Sequence, residues 1–141
     1  AGRRINDGSG AYAAGQMVKA MLKRRIQVDG AKVLVLGLTF KENCPDLRNT
    51  RVVDVISELH DYGIAVDVHD PWADAAEARH EYGLDLLTSP AAGAYDGIIL
   101  AVAHREFADL GAAALRRYGR PGHVLYDLKH LFDASQSDIR L

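Results

Sequence analysis

The chain has 141 residues, 48% of them apolar and 26% charged, enough for one domain with a buried core and too few for two packed domains. No stretch approaches about 18 uninterrupted apolar residues, and the opening AGRRINDGSG lacks the charged-then-apolar pattern of a secretion signal. A cytoplasmic setting without membrane association is therefore expected. The single cysteine, Cys44, excludes an internal disulfide and a multi-thiolate metal site. Net charge is −2, yet residues 1–30 carry +4 and leave −6 to the remainder. That basic start has one aromatic residue, Tyr12, and no long basic run, so nucleic acid is not an expected partner.

In chain order, Ala11, Ala14, Val18, Met21, Leu22 and Ile26 recur at spacings of three and four and predict an amphipathic helix over 10–26. Asp7 or Ser9 is a candidate cap, and the basic residues gather in the last turns, where they complement the macrodipole. Gln27–Gly30 ends the helix. Lys32–Leu38 is then a continuous run of branched apolar residues, the pattern of a strand buried on both faces of a parallel sheet. Similar runs at 64–69 and 97–102 predict further strands, 123–126 another, and 84–87 a weak one. Between them, Val52, Val53, Ile56 and Leu59 mark one face of a helix stopped by Tyr62-Gly63. Ala73–Tyr82 before Gly83 and Ala112–Tyr118 before Gly119 predict two more.

Strands alternating with helices at these lengths predict an α/β fold: a Rossmann-like open parallel sheet of about five strands, order 3-2-1-4-5, preceded by a long N-terminal helix. The boundary falls near residue 30, with 1–30 as a helical element and 31–141 as the α/β domain. The leading helix precedes the first strand and has an apolar stripe of its own. It is expected to pack on a neighbour outside this chain or on a second copy, the alternative being burial within the chain. Small residues Ala13, Ala14, Gly15 and Ala20 would admit a close helix neighbour.

In such a sheet ligands bind beyond the carboxyl ends of the strands, where strand order reverses. The loop after the first strand, 39–50, is far longer than the usual two to six residues. It holds Lys41, Glu42, Asn43, Cys44, Asp46 and Arg48 and leads into a helix N-terminus, itself an anion site. Lys41 and Arg48 suit phosphate as a point charge and a bidentate fork. The other reading is a solvated loop in which Asn49 or Thr50 caps the helix. A glycine fingerprint for a dinucleotide is missing, since only Gly37 stands there, and no Walker A loop is present.

The stretch Val33–Thr50, VLVLGLTFKENCPDLRNT, resembles the opening of the C-terminal UDP-binding domain of the UDP-glucose/GDP-mannose dehydrogenase family. Gly2–Asp7 is similar to the start of that family's central helix, and Tyr126-Asp127-Leu128-Lys129 to its late strand-end motif, so the resemblance spans the chain. Asn43-Cys44-Pro45 resembles the branch that oxidises UDP-N-acetylhexosamines, including the Vi-polysaccharide type of UDP-N-acetylglucosamine 6-dehydrogenase. The resemblance implies the nucleotide-sugar-binding portion of an NAD-dependent enzyme that oxidises a C6 hydroxymethyl to a carboxylate. It also implies that the NAD-binding domain and the catalytic cysteine lie upstream, that this part alone does not turn over, and that the first helix forms a homodimer contact.

Carried over by position, Phe40, Lys41 and Lys129 would meet the UDP-sugar, Arg48 would reach NAD held by the N-terminal domain, and Asp46 would orient Lys41 or Arg48. Its neighbours Lys41 and Arg48 make Cys44 a conceivable nucleophile, but no histidine is near in sequence and a packing or loop-shaping role is preferred. Asp70-Pro71 reads as a helix-entry turn, and His104 as a solvent-exposed residue near the switch point. The six histidines show no metal-ligand spacing. The competing class is a receiver-like or protein-interaction α/β module, which would want an acidic rather than a cationic first loop.

Overall fold

A computed structural model describes residues 2–141, with side chains from Ser9 onward. Helix α1 (Gly2–Lys23) is followed by strand β1 (Lys32–Leu36), α2 (Val52–Asp61), β2 (Ala65–His69), α3 (Ala75–Tyr82), β3 (Tyr95–Leu100), α4 (Arg105–Arg116), β4 (Gly119–Asp127) and β5 (Ile139–Arg140). All pairings are parallel and the order is β2-β1-β3-β4-β5. The expected order thus holds at the centre of the sheet. Its two edges differ: Leu84–Leu87 makes only one bridge, Leu86 to Val68, and the fifth strand comes instead from Ile139–Arg140.

Period-two alternation sorts β1 between the two faces. Val33 and Val35 join the core under α1 and α2, while Leu34 and Leu36 join the core under α4 with Ile98, Leu100, Phe107 and Leu115. These four side chains are fully buried, each contributing up to about 1.5–3 kcal/mol of transfer free energy. α2 buries Val52, Val55, Ile56 and Leu59. α3 starts at Asp74, which accepts the Glu77 N–H, and ends at left-handed Gly83. α4 begins earlier than its apolar pattern indicates and is broken at Gly111 (φ 83°, ψ 160°).

The first helix departs most from expectation. Asp7 and Ser9 lie inside α1 rather than at its cap. Its stripe does not wait for an outside neighbour: Ala13, Ala14, Met17 and Met21 are buried in the core formed with α2 and the sheet. Two glycines make the fit possible. A Cβ on Gly10 would stand 2.7 Å from the Asp54 Cβ of α2, and one on Gly97 of β3 would collide with the Met17 thioether. Leu22 and Tyr12 face solvent, at 58% and 57% exposure. Just past the helix, Arg24 binds the His123 carbonyl (2.7 Å) and the Asp138 carboxylate (2.8 Å), tying α1 to β4 and the C-terminal turn.

Candidate functional site

β1 leads outward to β2 and β3 leads the other way to β4, so strand order reverses between β1 and β3. A cleft of about 320 Å³ opens there, over the carboxyl ends of β1, β3 and β4. Thr39 and Phe40 form one side, the Thr50–Val52 entrance to α2 the floor, and Leu128 and Lys129 the far side. Ser9, Gly10 and Ala13 of α1 close it from above. The apolar wall is Val55, Ala101 and Val102.

The cleft exists because β1 ends sharply. Gly37 (φ 101°) passes so near β3 that a Cβ would lie 2.6 Å from the Val102 Cβ and 2.8 Å from its backbone nitrogen. Only glycine takes that turn without strain. The chain then swings into the long loop, whose base closes through the Phe40 N–H on the Asp46 carbonyl (2.7 Å) and the Tyr82 hydroxyl on the Leu47 carbonyl. Leu47 is fully buried and anchors the loop to the core. The N-cap of α2 is Arg51, without a side-chain cap bond, rather than Asn49 or Thr50; the Thr50 hydroxyl accepts the Val52 N–H at 3.2 Å from the preceding turn.

Under the loop lies a buried polar cluster. Asp70, at the end of β2, accepts five hydrogen bonds: on Oδ2 from the N–H groups of Leu38 (2.6 Å) and Thr39 (3.0 Å) and from His104 Nε2 (3.0 Å), and on Oδ1 from those of Trp72 (2.7 Å) and Ala73 (3.1 Å). Burial pushes its carboxyl up, but the His104 ring and these backbone donors together hold it below the ordinary carboxylate range. The expected turn before Trp72 is present, and the same carboxylate also fastens β1's exit to β2.

His104, expected at the surface, is fully buried. Its ring sits between Trp72 (centroids 6.1 Å) and Phe107 (5.7 Å). Nδ1 accepts the Asn43 N–H at 3.0 Å, and Nε2 lies 3.1 Å from the Thr39 hydroxyl. A backbone N–H can only donate, so the proton of the neutral ring is on Nε2, facing Asp70. A second buried carboxylate, Asp127 at the end of β4, plays a matching role by accepting the N–H groups of Lys129 (3.0 Å) and Phe132 (2.9 Å).

The residues expected at the site fall into two groups. Phe40, 52% exposed, and Lys129 flank the cleft. Lys41 is exposed on the same loop, next to Phe40. Arg48 lies apart from the cleft lining, its guanidinium on Asp46 (Nε to Oδ1, 3.1 Å) and its own N–H on the same oxygen (2.9 Å). This side-chain contact, followed by the backbone one, holds the Asp46 carboxyl below its ordinary range and raises Arg48. Asp46 is thus paired with Arg48 and not with Lys41. Cys44 is half-buried. Asp46 is committed to Arg48, and Asp70 to backbone donors and His104, unlike the open acidic cluster a receiver-like module needs.

Comparison with known proteins agrees with this geometry. Residues 34–134 match the model of the UDP-glucose/GDP-mannose dehydrogenase family, UDP-binding domain. The whole chain is 64% identical to a UDP-N-acetyl-D-glucosamine 6-dehydrogenase of Pseudomonas aeruginosa and 52% identical to one of Salmonella typhi, covering 33% of each. It thus spans about a third of the length of these curated relatives. Among solved structures it resembles a UDP-D-ManNAc dehydrogenase from Pyrococcus horikoshii (TM-score 0.76, 26% identity, covering 98% of this chain and 31% of that one). A UDP-glucose dehydrogenase from Pyrobaculum islandicum aligns similarly (TM-score 0.72, 28% identity, 97% and 30%). Together with the long, charge-rich loop at a switch-point cleft, the match over 34–134 places this chain in the UDP-glucose/GDP-mannose dehydrogenase family, as its UDP-binding domain.

Proposed function

We propose that the chain is the nucleotide-sugar-binding part of an NAD-dependent UDP-sugar 6-dehydrogenase whose substrate is a UDP-N-acetylhexosamine. The observation that carries this reading is the meeting of Phe40 and Lys129 across the switch-point cleft, with Lys41 beside them on a loop braced from below. Phe40 offers a ring to the base or ribose, while Lys41 and Lys129 supply positive charge for the diphosphate. The α2 N-terminus adds its dipole to the same side. The relatives' names support the substrate class, since the two with the quoted identities are UDP-N-acetyl-D-glucosamine 6-dehydrogenases.

The turn after β1 does not fit a dinucleotide pyrophosphate, because Gly37 is its only glycine and Lys41 and Glu42 occupy the approach. NAD, which accepts hydride in such oxidations, is accordingly assigned to a separate N-terminal domain, and this chain contributes Arg48 from its exposed rim. Residues 1–30 are assigned to a central helical element and 31–141 to the binding domain. A homodimer contact is assigned to the outer face of α1, with Tyr12, Lys19 and Leu22, since the inner stripe is already used; sedimentation of the wild type against Leu22→Arg checks it.

A ¹⁵N chemical-shift titration of this chain with UDP, using NAD⁺ as control, tests the main reading. Affinity on the order of millimolar is expected for half a site. Shifts at Phe40–Arg48 and Lys129 with UDP, absent with NAD⁺ and diminished in Lys41→Ala, are the expected result. Equal responses to both nucleotides, or none to UDP at several times that concentration, would remove the assignment from this chain.

A further inference from the structure

We propose that His104 is a positioning residue for the nucleotide-binding loop, its imidazole holding both flanks of Lys41 at once. Its value for ligand binding rests on the reading of the cleft given above; the clasp itself does not.

Three observations carry it. First, the ring spans the loop: Nε2 lies 3.1 Å from the Thr39 hydroxyl on one side of Lys41, and Nδ1 accepts the Asn43 N–H at 3.0 Å on the other. The Thr39 hydroxyl in turn donates to the Lys41 carbonyl at 3.0 Å. Second, Asn43 stands at φ 55°, a left-handed conformation that asparagine adopts more readily than other non-glycine residues, and from it both its N–H and its side-chain oxygen reach the start of α4. Third, the exchange is reciprocal. His104 is the N-cap residue of α4 but makes no side-chain cap bond there; the Asn43 Oδ1 accepts the Arg105 N–H at 2.8 Å instead. The loop caps the helix while the helix-cap residue braces the loop. Asp70 fixes the tautomer by drawing the proton to Nε2, where the one N–H is shared between its Oδ2 and the Thr39 hydroxyl oxygen, and Trp72 and Phe107 fix the ring plane. Lys41 is left with its carbonyl held and its side chain exposed, so that binding an anion orders that side chain and not the loop as well.

A residue that merely filled the core would be replaceable by any ring of similar size. The substitutions that separate the two roles follow from amide geometry. In His104→Asn the side-chain oxygen stands where Nδ1 stood and keeps the Asn43 bond. In His104→Gln the longer amide reaches Asp70 and abandons Asn43. His104→Phe keeps the packing and loses both. UDP affinity is expected to fall about tenfold in the Gln and Phe variants and less, about threefold, in Asn, which keeps the Asn43 bond but gives up Thr39. Amide hydrogen exchange at Asn43 in the ligand-free chain should quicken in Gln and Phe and not in Asn. Affinities that follow melting temperature across all three variants, or exchange at Asn43 that is equal in Asn and Gln, would overturn the proposal. If wild type shows no response to UDP, the cleft assignment fails while the exchange comparison still decides the clasp. If the variants do not fold, the imidazole ¹⁵N shifts of the wild-type ring decide it: a proton on Nε2 is required, and one on Nδ1 refutes the bond to Asn43.

Discussion

Asp70→Asn isolates the polar cluster beneath the loop with the smallest change of shape. All five of the aspartate's partners are donors, three on Oδ2 and two on Oδ1. The asparagine amide has one carbonyl oxygen, so either orientation aims its NH₂ at two or three N–H groups. The less costly choice leaves the oxygen on Leu38, Thr39 and His104, which are fully buried, and opposes the amide to Trp72 and Ala73, which water can partly reach. One lost pair of charge-assisted bonds and a buried donor conflict come to about 2–4 kcal/mol, a large share of the roughly 5–15 kcal/mol that holds a domain folded. The sign with pH is set by the lowered carboxyl. An aspartate whose folded pKa lies below its ordinary 3.8 stabilises the fold at neutral pH, and that stabilisation is lost as pH falls through the folded value. The gap between wild type and Asp70→Asn should therefore be full at pH 7 and shrink on acidification below about pH 4. Urea unfolding followed by Trp72, the single tryptophan and a neighbour of the cluster, measures both. A loss below about 1 kcal/mol at pH 7, or a gap that ignores pH, would refute the bookkeeping of donors.

Gly37→Ala should cost about 3 kcal/mol and lower the melting temperature by roughly 10 °C, because the new Cβ meets the backbone of Val102 at a positive φ. Gly97→Ala should cost less, as the obstacle is the mobile end of Met17, and thermal melts of the pair rank the two obstacles. Tyr126→Phe should be neutral or stabilising by up to about 1 kcal/mol. Its hydroxyl is buried with no hydrogen-bond partner among the described residues, and burial, then Tyr12, pushes it up to about 12. Destabilisation in chemical denaturation would reveal an unseen partner.

The central strands were legible because a two-faced buried strand writes itself as an unbroken branched run, and β1 and β3 are such runs. The cleft was legible through the excess length of the loop after β1, which helix and strand periods do not explain. The edges were not: Leu84–Leu87 has strand composition but pairs through Leu86 alone, while Ile139–Arg140, two residues long, is recruited by the exposed edge of β4. The polar cluster was hidden for a different reason. Asp70, Thr39 and His104 stand 31 to 65 positions apart, and a histidine just past a strand has the same local signature whether it ends in solvent or beneath a loop. For α1, spacing showed a stripe but not its destination; the small residues read as room for another helix are largely room for α2 and the sheet.

That destination constrains how the chain can change. Because Ser9, Gly10 and Ala13 roof the cleft while Met17 sits over Gly97 and Arg24 grips Asp138, α1 is clamped downstream of the part that touches the site. One residue inserted between Ala13 and Met17 would swing the roof about 100° around the helix axis and lift it about 1.5 Å. The same insertion in the exposed 91–93 turn would alter nothing near the cleft. The length of this helix segment is thus part of the binding site's specification, as strictly as the identity of any residue lining it.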